Sequence, residues 1–403
     1  FLLTCKSLPI PFLSKSKNVK TEPKLSDYEK LFKDKTVITT KNNFVTAHKI
    51  DGKLYLEMPR NIFGREMLLA LTPDRTGDNS VCTNGLKQSL PLHIRFTLSD
   101  SVVYMRQINT LLDGQRDDVR VQSILEKGYA DAIMETYSVK AYNADSSAVI
   151  FDVTSLFSGN IKELSPLGTY RPYDLTGRLQ PKFSLLGDVK AYEDNLTVKS
   201  SLQYSVSVFY FIFIRMAGQP VDVDVTHTLI LLPDKRMKPR LSDLRIGTSL
   251  TEKKLLLNDG GPISDVSYVR KWNIWPKDIE AYKRGEMSEP QKPIIMYMDN
   301  YFPLSWREPI KRGVEKWNKA FERIGFKNVI EVKDFPADDP DFDPGDMQYS
   351  CIRFSPSMFD KSEGYIWSDP ASGEILNSTI IFHYNIANQL NNWRFVQTSQ
   401  VDE

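Results

Sequence analysis

The stretch NFVTAHKIDGKLYLEMP, residues 43–59, decides whether the N-terminal part of this chain is built from strands or from helices. Two runs of alternating apolar and polar residues flank Asp51-Gly52, a pair that is typical of a β-hairpin with a type I′ turn. Similar alternation recurs at residues 66–72, 93–108, 134–154, 195–216 and 221–233. We therefore predict a mostly antiparallel β region over residues 31–285, folded as a sandwich or stacked meander, with a candidate subdomain break near residue 110.

The most apolar run of the chain is VSVFYFIFI, from Val206 to Ile214. A transmembrane helix needs about 20 consecutive apolar residues, more than twice the length of this run. We interpret the run as a strand that is buried on both of its faces.

The composition is that of a globular protein and argues against some functions. The 403 residues are 41% hydrophobic and 26% charged, which is enough chain for two or three domains with their own cores. The 52 basic and 51 acidic residues leave a net charge of +1. This balance provides no general attraction to nucleic acid, so we expect no nucleic-acid partner.

Residues 1–30 are predicted to be a flexible tether, because they are rich in Lys, Ser and Pro and lack apolar periodicity. The chain begins FLLTCKS, and LLTC is similar to the end of a lipoprotein signal, in which the cysteine becomes the lipidated first residue. Cys5 is therefore a candidate lipid anchor and the only feature that predicts contact with a membrane. The alternative is a cysteine without function in a flexible tail. Cys82 and Cys351 are expected to be buried apolar residues.

A second pattern occupies residues 286–403 and predicts a small α/β unit, which makes the overall fold class α+β. A strand over Ile294–Met298 precedes a predicted long helix, with Ser305 and Glu308 as its capping box and Gly325 at its end. The helix would bury one stripe of residues at helical spacing: Ile310, Val314, Trp317, Phe321 and Ile324. Four further strands are predicted at residues 328–332, 347–354, 364–367 and 375–384, giving a mixed sheet plus one long helix.

The residues offer little catalytic chemistry of their own. The four histidines, His48, His93, His227 and His383, are at least 45 residues apart in sequence, and no H-E-x-x-H is present. We expect them to be hydrogen-bonded residues rather than metal ligands. No nucleophile–base pairing, phosphate loop or dinucleotide fingerprint is recognisable, so we predict no catalytic residue and no metal ligand in this chain.

Two polar clusters are candidate sites. Asp339, Asp341 and Asp343 alternate as in a calcium loop, but Gly345 comes one place late and Ser350 occupies the position that needs a bidentate Glu. A solvated acidic turn is the preferred interpretation. A separate cluster, Arg240, Asp243 and Arg245, is predicted to be a structural ion-pair cluster that fixes a loop.

Two C-terminal stretches resemble the metzincin-type zinc metalloproteases. KPIIMYMDNYFPLSWREPIKRGVEKWNKAFERIGFKN, residues 292–328, looks like the opening strand and first long helix, and SDPASGEILNSTIIFHYN, residues 368–385, resembles the segment that leads to the zinc helix. Together with residues 55–71, 146–157, 237–247 and 391–402, they make the chain similar to bacterial zinc-dependent metalloproteases that carry two N-terminal domains of unknown function.

The resemblance implies a peptidase whose zinc-binding motif, H-E-x-x-H-x-x-G-x-x-H, lies beyond Glu403. Zinc is then expected only in a longer protein, with no cofactor bound by these residues. Metzincins bind a peptide or protein substrate as an added strand at a sheet edge, and Gly364, Tyr365, Ile366 and Trp367 are the candidate edge strand. The localisation implied is extracytoplasmic: periplasmic, or attached to the outer membrane as a lipoprotein.

Two other functions are compatible with the sequence. The chain could be a non-catalytic extracytoplasmic binding or assembly protein that uses a protease-like scaffold, within a membrane or surface protein complex. It could also bind glycans through aromatic residues such as Trp272 and Trp275, although aromatic side chains of this kind more often belong to a core.

Overall fold

The computed structural model describes residues 25–398 except 88–89, 115–117, 160, 169–173, 258, 260, 340–341 and 358. The strands of the β-rich part are β1 Val37–Lys41, β2 Thr46–Ile50, β3 Lys53–Pro59, β4 Glu66–Thr76, β5 Leu92–Ser99, β6 Val102–Gln107, β7 Leu112–Gly114, β8 Ala132–Tyr142, β9 Ala148–Asp152, β10 Asp174–Leu179, β11 Leu185–Ala191, β12 Asn195–Tyr210, β13 Phe213–Leu231, β14 Leu250–Leu256 and β15 Ser264–Val269. Those of the C-terminal unit are β16 Ile294–Met298, β17 Ile330–Asp334, β18 Ser350–Ser355, β19 Ser362–Ser368 and β20 Ile375–His383. The helices are α1 Asp27–Phe32, α2 Val119–Gly128, α3 Thr154–Ser158, α4 Ile279–Lys283, α5 Leu304–Glu315, α6 Asn318–Glu322 and α7 Ile386–Thr398.

The predicted hairpin at Asp51-Gly52 is present. β2 and β3 pair antiparallel, and both turn residues have positive φ, 50° at Asp51 and 76° at Gly52. Positive φ at both central residues is what a type I′ turn requires, and its twist matches that of the two strands.

One continuous sheet of twelve strands forms most of the β-rich part. Its order is β1-β2-β3-β9-β8-β6-β5-β4-β13-β12-β10, with β11 also paired to β12. The sheet curls until β1 approaches β11, and it encloses one core that runs from Phe44 to Leu229. The antiparallel prediction is confirmed, whereas the alternative of a sandwich of two stacked sheets is wrong. A separate three-stranded sheet has the order β15-β14-β7.

Strand β4 is buried on both faces, which explains its nearly continuous apolar sequence. Leu69 points into the core of the large sheet, whereas the adjacent Leu68 packs on the opposite face with Ile230 and Leu232. Successive side chains of a strand point to opposite faces, so two buried faces require an apolar run without alternation. The second face of β4 is covered by the C-terminal unit, through Trp367.

The apolar run Val206–Ile214 is not a doubly buried strand, and that prediction is wrong. Val206 and Val208 are buried, but β12 ends at Tyr210 and β13 begins at Phe213. The second half of the run therefore forms the tip of a hairpin, with its side chains exposed.

The C-terminal unit contains a five-stranded sheet of order β17-β16-β18-β20-β19. Four of its strands are parallel, and β19 runs antiparallel to β20 at one edge. Its core contains Met298, Phe302 and Ile352, and Trp272 and Ile274 also pack against it although they precede the predicted start of the unit at residue 286.

The predicted long helix is divided into α5 and α6. Pro303, not Ser305, is at the N-cap of α5, and no side chain caps it, so the predicted capping box is wrong. Ile310, Val314 and Phe321 pack against the core as predicted, whereas Trp317 and Ile324 are exposed because the chain turns between the two helices. Gly325 has a φ of 85° and ends α6 as expected.

Helix α1 begins at Asp27, within the stretch predicted to be a tether. Ser26 and Glu29 form a capping box there, and Tyr28 and Phe32 pack against a small apolar cluster beside β2 and β3. Among the described residues, no helix has the length and apolar character needed to cross a membrane.

Candidate functional site

The candidate substrate edge coincides with β19. Its register with β20 runs from Ser362 opposite Phe382 to Ser368 opposite Ile375. β19 is the last strand of its sheet, so no strand within the described ranges pairs with its other side. Unpaired N–H and C=O groups along a sheet edge can accept a further strand.

The four predicted edge residues differ in exposure. Gly364 is exposed, Tyr365 and Ile366 are half-buried, and Trp367 is buried. A Cβ atom added at Gly364 would have no heavy atom within 4 Å, so the space around this residue is open. The side chain of Trp367 packs against the large sheet, and it therefore anchors the strand rather than facing a ligand.

Lys87 reaches from the β-rich part into the C-terminal unit and holds Trp367 in place. Its Nζ lies 4.2 Å from the centroid of the Trp367 ring and donates a hydrogen bond to Oδ1 of Asn377 on β20. Lys87 is 5% exposed, and burial lowers the pKa of its ammonium group to about 8. Sequence reasoning missed this residue, because nothing in the sequence around Lys87 distinguishes it from a surface lysine.

A polar network lies beneath the other end of β19. Oγ of Ser357 lies 2.5 Å from Nδ1 of His383, and Oε2 of Glu363 lies 3.9 Å from Nε2 of the same ring. The hydroxyl of Tyr365 donates a hydrogen bond of 2.9 Å to Glu363, and burial, aided by that carboxylate, raises the pKa of Tyr365. Burial lowers the pKa of His383.

The network thus has the arrangement of a nucleophile, a base and an acid, formed by Ser357, His383 and Glu363. This arrangement is inaccessible to a substrate. Ser357 is 4% exposed and His383 is fully buried, so a substrate cannot reach the hydroxyl. The sequence did not show this pair because 26 residues separate its members. The parallel strands β18 and β20 end side by side and bring them together.

An ion-pair network crosses the boundary between the two parts of the protein. Arg236 lies 2.8 Å from Glu66 of β4 and 3.6 Å from Asp369, while His93 lies 2.7 Å from the same Glu66 carboxylate. Burial acts to raise the pKa of Glu66, but the hydrogen bonds and charges of His93 and Arg236 outweigh it and lower the pKa to about 2. Asp369 opens the turn after β19 and accepts a 2.7 Å hydrogen bond from the Ser372 hydroxyl.

The loop tested as a calcium site joins the same two parts. Asp343 is 6% exposed and lies 2.8 Å from Nζ of Lys190 on β11, so the preferred interpretation of a solvated turn is wrong at this residue. Asp341 lies outside the described residues. A cavity of about 590 Å³ adjoins the loop and is lined by carboxylates and a lysine, including Asp74, Asp224 and Lys199.

A larger groove of about 730 Å³ runs between the two parts of the protein. Arg65, Asp194 and Asn195 line it from the large sheet, and Trp272, Tyr349 and Glu374 line it from the C-terminal side. Asn195 is 1% exposed, and its Nδ2 has no hydrogen-bond partner among the described residues. The groove is adjacent to the ion-pair network, since Leu232, which lines it, donates its backbone N–H to the carbonyl oxygen of Glu66 at 3.0 Å.

The four histidines do not come together as a metal site in the described ranges. All four histidines lie on strands, far apart in the sheets, and His48 lies 2.9 Å from Oγ1 of Thr39 and 3.0 Å from Glu57. Burial lowers the pKa of His227 to about 4. Across the part of the chain that the structure describes, no group of three or more His, Cys, Asp or Glu residues is arranged to hold a metal ion. The expectation of zinc in a longer protein stays a prediction.

The remaining candidates are the Arg240, Asp243 and Arg245 cluster, the two tryptophans and Cys5. Nε of Arg245 lies 2.9 Å from Oδ1 of Asp243 in an exposed pair, while Arg240 makes no ion pair with Asp243 in the described ranges, so the cluster is reduced to two residues. Trp272 packs against the C-terminal core, and Trp275 is exposed with its Nε1 donating to Asn273. Cys5 lies outside the described residues.

The fold and these contacts define a β-rich protein in which a large antiparallel sheet supports a small α/β unit with an open edge strand. Two family models match this chain: a domain of unknown function, DUF5118, at residues 25–72, and a second domain of unknown function, DUF5117, at residues 88–277. The predicted presence of two N-terminal domains of unknown function is confirmed. No curated protein and no solved structure matches the chain significantly.

The two matched regions do not fold as separate cores. The DUF5118 match contributes Phe44 and Leu69 to the core of the large sheet, and the DUF5117 match contributes Phe96, Phe151 and Leu229 to the same core. The two domains of unknown function are therefore one packing unit in this protein.

Proposed function

We propose that this chain is the N-terminal portion of a zinc-dependent metallopeptidase, and that β19 forms the edge against which its peptide substrate binds. The observation that carries the proposal is the position of β19 at the open edge of a mixed sheet, directly before the strand β20 that leads into α7. In the full-length protein, zinc-bound water would hydrolyse the peptide bond. Zinc ligands and general base would come from outside these residues.

The contacts around β19 suit a binding edge because they fix the strand without covering it. Lys87 and the apolar cluster hold Trp367 at one end, and the buried Ser357–His383 pair lies under the other end, beside Glu363. Between them, the backbone at Gly364 is open. A strand that is already ordered loses little entropy when a peptide adds to it, and main-chain hydrogen bonds supply the affinity.

The full-length natural protein provides the first test. We expect about one zinc per chain by metal analysis, and hydrolysis of a fluorogenic peptide library that is abolished by a chelator and restored by zinc. Replacing the glutamate of the H-E-x-x-H motif with glutamine should remove activity while zinc stays bound. A protein without zinc and without hydrolysis would overturn the proposal.

The role of β19 is tested separately with Gly364→Asp in the full-length protein. The added carboxylate has room in the folded state but places a charge on the edge that a peptide must approach. We expect kcat/KM to fall roughly tenfold, with the loss mainly in KM. Gly247→Asp is the matched control, because a Cβ atom there also has no neighbour within 4 Å and the residue is not part of the edge. Equal activity of both variants would remove β19 from the substrate site.

A second candidate is a non-catalytic extracytoplasmic binding or assembly protein. The groove between the two parts favours it, because Asn195 presents a buried Nδ2 without a partner among its lining residues. An absence of zinc together with retained binding of a protein partner would support this function over the peptidase.

An intact mass that includes acyl chains on the N-terminal cysteine would test the proposed lipid anchor at Cys5 and the extracytoplasmic location.

A further inference from the structure

The tip of the β12–β13 hairpin is the most exposed apolar segment among the described strands. Phe211 is 81% exposed, Ile212 88%, Phe213 68% and Ile214 63%. Isolated exposed apolar residues are common on protein surfaces, but contiguous exposed apolar patches mark interaction sites. These residues together with Tyr210, residues 210–214, are called the apolar tip below.

The hairpin projects beyond the large sheet. β4 and the following Gly77 accompany β13 only as far as Asp222. From residue 213 to 221, β13 has β12 on one side and no strand of the described ranges on the other. Along β12 the side chains of Leu202, Tyr204 and Val206 are buried at every second position, and this alternation ends at the tip, where neighbouring side chains are all exposed. Among the described residues, the side chains of residues 211–214 are therefore exposed on both faces of the tip.

The tip also has an unfavourable backbone conformation for its sequence. Tyr210 pairs with Phe213, which leaves Phe211 and Ile212 as a two-residue turn. Phe211 has a φ of 52°, and the first residue of a type II′ turn, which needs a positive φ, is usually glycine. Strain of this kind in a bulky residue, together with its exposure, indicates that the aromatic side chain is retained for a function other than folding.

The charge pattern separates the tip from the rest of the surface. Between Tyr204 and Met216 the only charged residue is Arg215, which lies directly behind the apolar tip, and the next acidic residue of β13 is Asp222. Asp174 of β10, which pairs with Phe209, is an exposed acid at about the level of Arg215, so charges of both signs lie behind the tip. An uncharged aromatic tip with charged residues behind it matches the order of acyl chains and headgroups in a phospholipid leaflet.

We propose that the apolar tip inserts into the interfacial region of a phospholipid bilayer. Beyond the two-residue turn, the tip has one residue in the first arm, Tyr210, and two in the second, Phe213 and Ile214. At about 3.3 Å per residue it reaches about 7 Å, which lies within the roughly 5–10 Å of interfacial insertion and is far less than a bilayer core of about 30 Å. A leaflet covers both faces and the turn at once, whereas a groove on a protein partner usually covers one face. The tip thus attaches the protein to a membrane surface without crossing it, independently of the proposed peptidase activity.

The test uses the 403-residue chain with Cys5→Ser, so that no acyl chain contributes to binding. Flotation with phosphatidylcholine vesicles measures the partition coefficient, with and without added phosphatidylglycerol. The test variant is Phe211→Gly with Ile212→Asn, which supplies turn residues that suit positive φ and removes the two most exposed apolar side chains. We expect the partition coefficient to fall roughly a hundredfold, because each buried side chain contributes about a tenfold gain or more.

The control is Leu244→Asn, which removes a fully exposed leucine far from the hairpin in sequence and should not change the partition coefficient. A thermal unfolding midpoint for the double variant at or above that of the parent shows that the hairpin is intact. Failure of the parent to float, or equal flotation of the double variant, would overturn the proposal. So would a parent dimer that the double variant abolishes without vesicle binding, since the tip would then bind a second copy of the chain.

Discussion

Two apolar runs, EMLLALT in β4 and the second half of VSVFYFIFI at the hairpin tip, have similar composition but opposite environments. Leu68 and Leu69 are fully buried on the two faces of β4, because the large sheet encloses one face and the C-terminal unit covers the other. Phe211 and Ile212 are more than 80% exposed. The apolar composition of a run determines how unfavourable its exposure to water is. The topology of the sheets determines which elements cover the run.

Lys87 and Phe211 also differ in burial, each in the opposite sense to what is usual for its side chain. A cationic side chain is buried between the two parts of the protein, while an aromatic side chain is exposed at the tip. The cost of burying Lys87 is offset by its contacts with Trp367 and Asn377, whereas Phe211 stays mostly exposed and contacts the ring of the adjacent Tyr210 at 4.9 Å between centroids. The contrast suggests that Lys87 serves the internal structure and that Phe211 serves an external surface.

Replacing single side chains of the two runs with alanine should give the largest difference in the free energy of unfolding. Leu69→Ala should lower the free energy of unfolding by about 3–4 kcal/mol, because it leaves a cavity in the core of the large sheet. Leu68→Ala should cost about 2–3 kcal/mol, because its smaller cluster at the interface with the C-terminal unit can relax more. Ile212→Ala should cost less than about 0.5 kcal/mol.

Chemical denaturation of the three variants measures these values. A cost at Ile212 as large as that at Leu68 would break the comparison, because it would mean that the tip is covered in the folded protein.

The pH dependence of stability should identify Lys87 as the buried cation. Its pKa is about 8 in the folded state and about 10.5 when unfolded, so the unfolded chain holds more protons in this window. The contribution of Lys87 to stability therefore rises with pH, by about 2 kcal/mol between about pH 7.5 and 9.5. Burial raises the pKa of the Cys82 and Cys351 thiols, so their contributions fall with pH in the same window, and the Lys87 contribution is measured as the difference between the parent and Lys87→Met. Denaturation at several pH values in that range measures the rise.

Lys87→Met should remove this rise, since methionine fills the space without a titrating group. Lys199→Met is the matched control, because Lys199 has 43% of its side chain exposed and should keep the slope of the parent. The tyrosines with raised pKa, such as Tyr137 and Tyr204, act in the opposite direction only above about pH 10. If Lys87→Met keeps the parent's dependence of stability on pH, that dependence belongs to another titrating group.

Local signals predicted much of the fold. The Asp51-Gly52 turn, the strand Ile294–Met298 and the positive φ of Gly325 follow from the preferences of neighbouring residues, and the structure has all three. The sheet order could not be predicted in this way. β4 pairs with β13 across about 150 residues, and curling of twelve strands around one core is a property of the whole sheet. The division of the long helix was missed because an apolar stripe does not show that the chain turns near Trp317.

The candidate site was predictable only where it depended on one strand. Residues 364–367 form the edge as expected, because a short run after a polar turn can be recognised locally. The contacts that hold it could not be predicted: Lys87 and Trp367 are 280 residues apart, and Ser357 meets His383 only through the order of parallel strands. Asp343 was misjudged because its partner, Lys190, belongs to a different part of the chain.

The smallest expected effect concerns the stability of the tip itself. Phe211→Gly alone should change the free energy of unfolding by less than about 1 kcal/mol and in the stabilising direction, because glycine adopts the φ of 52° without strain and the lost ring is 81% exposed, with an edge-to-face contact to Tyr210. The loss of conformational entropy by glycine on folding limits the gain. Asp51→Gly, at a turn residue with nearly the same φ of 50°, is the matched control and should change stability little, since aspartate already tolerates this conformation. A clear destabilisation by Phe211→Gly in thermal denaturation would show that the Phe211 ring packs against more of the folded chain than the adjacent Tyr210, and the distinction between the buried run of β4 and the exposed run of the tip would then be lost.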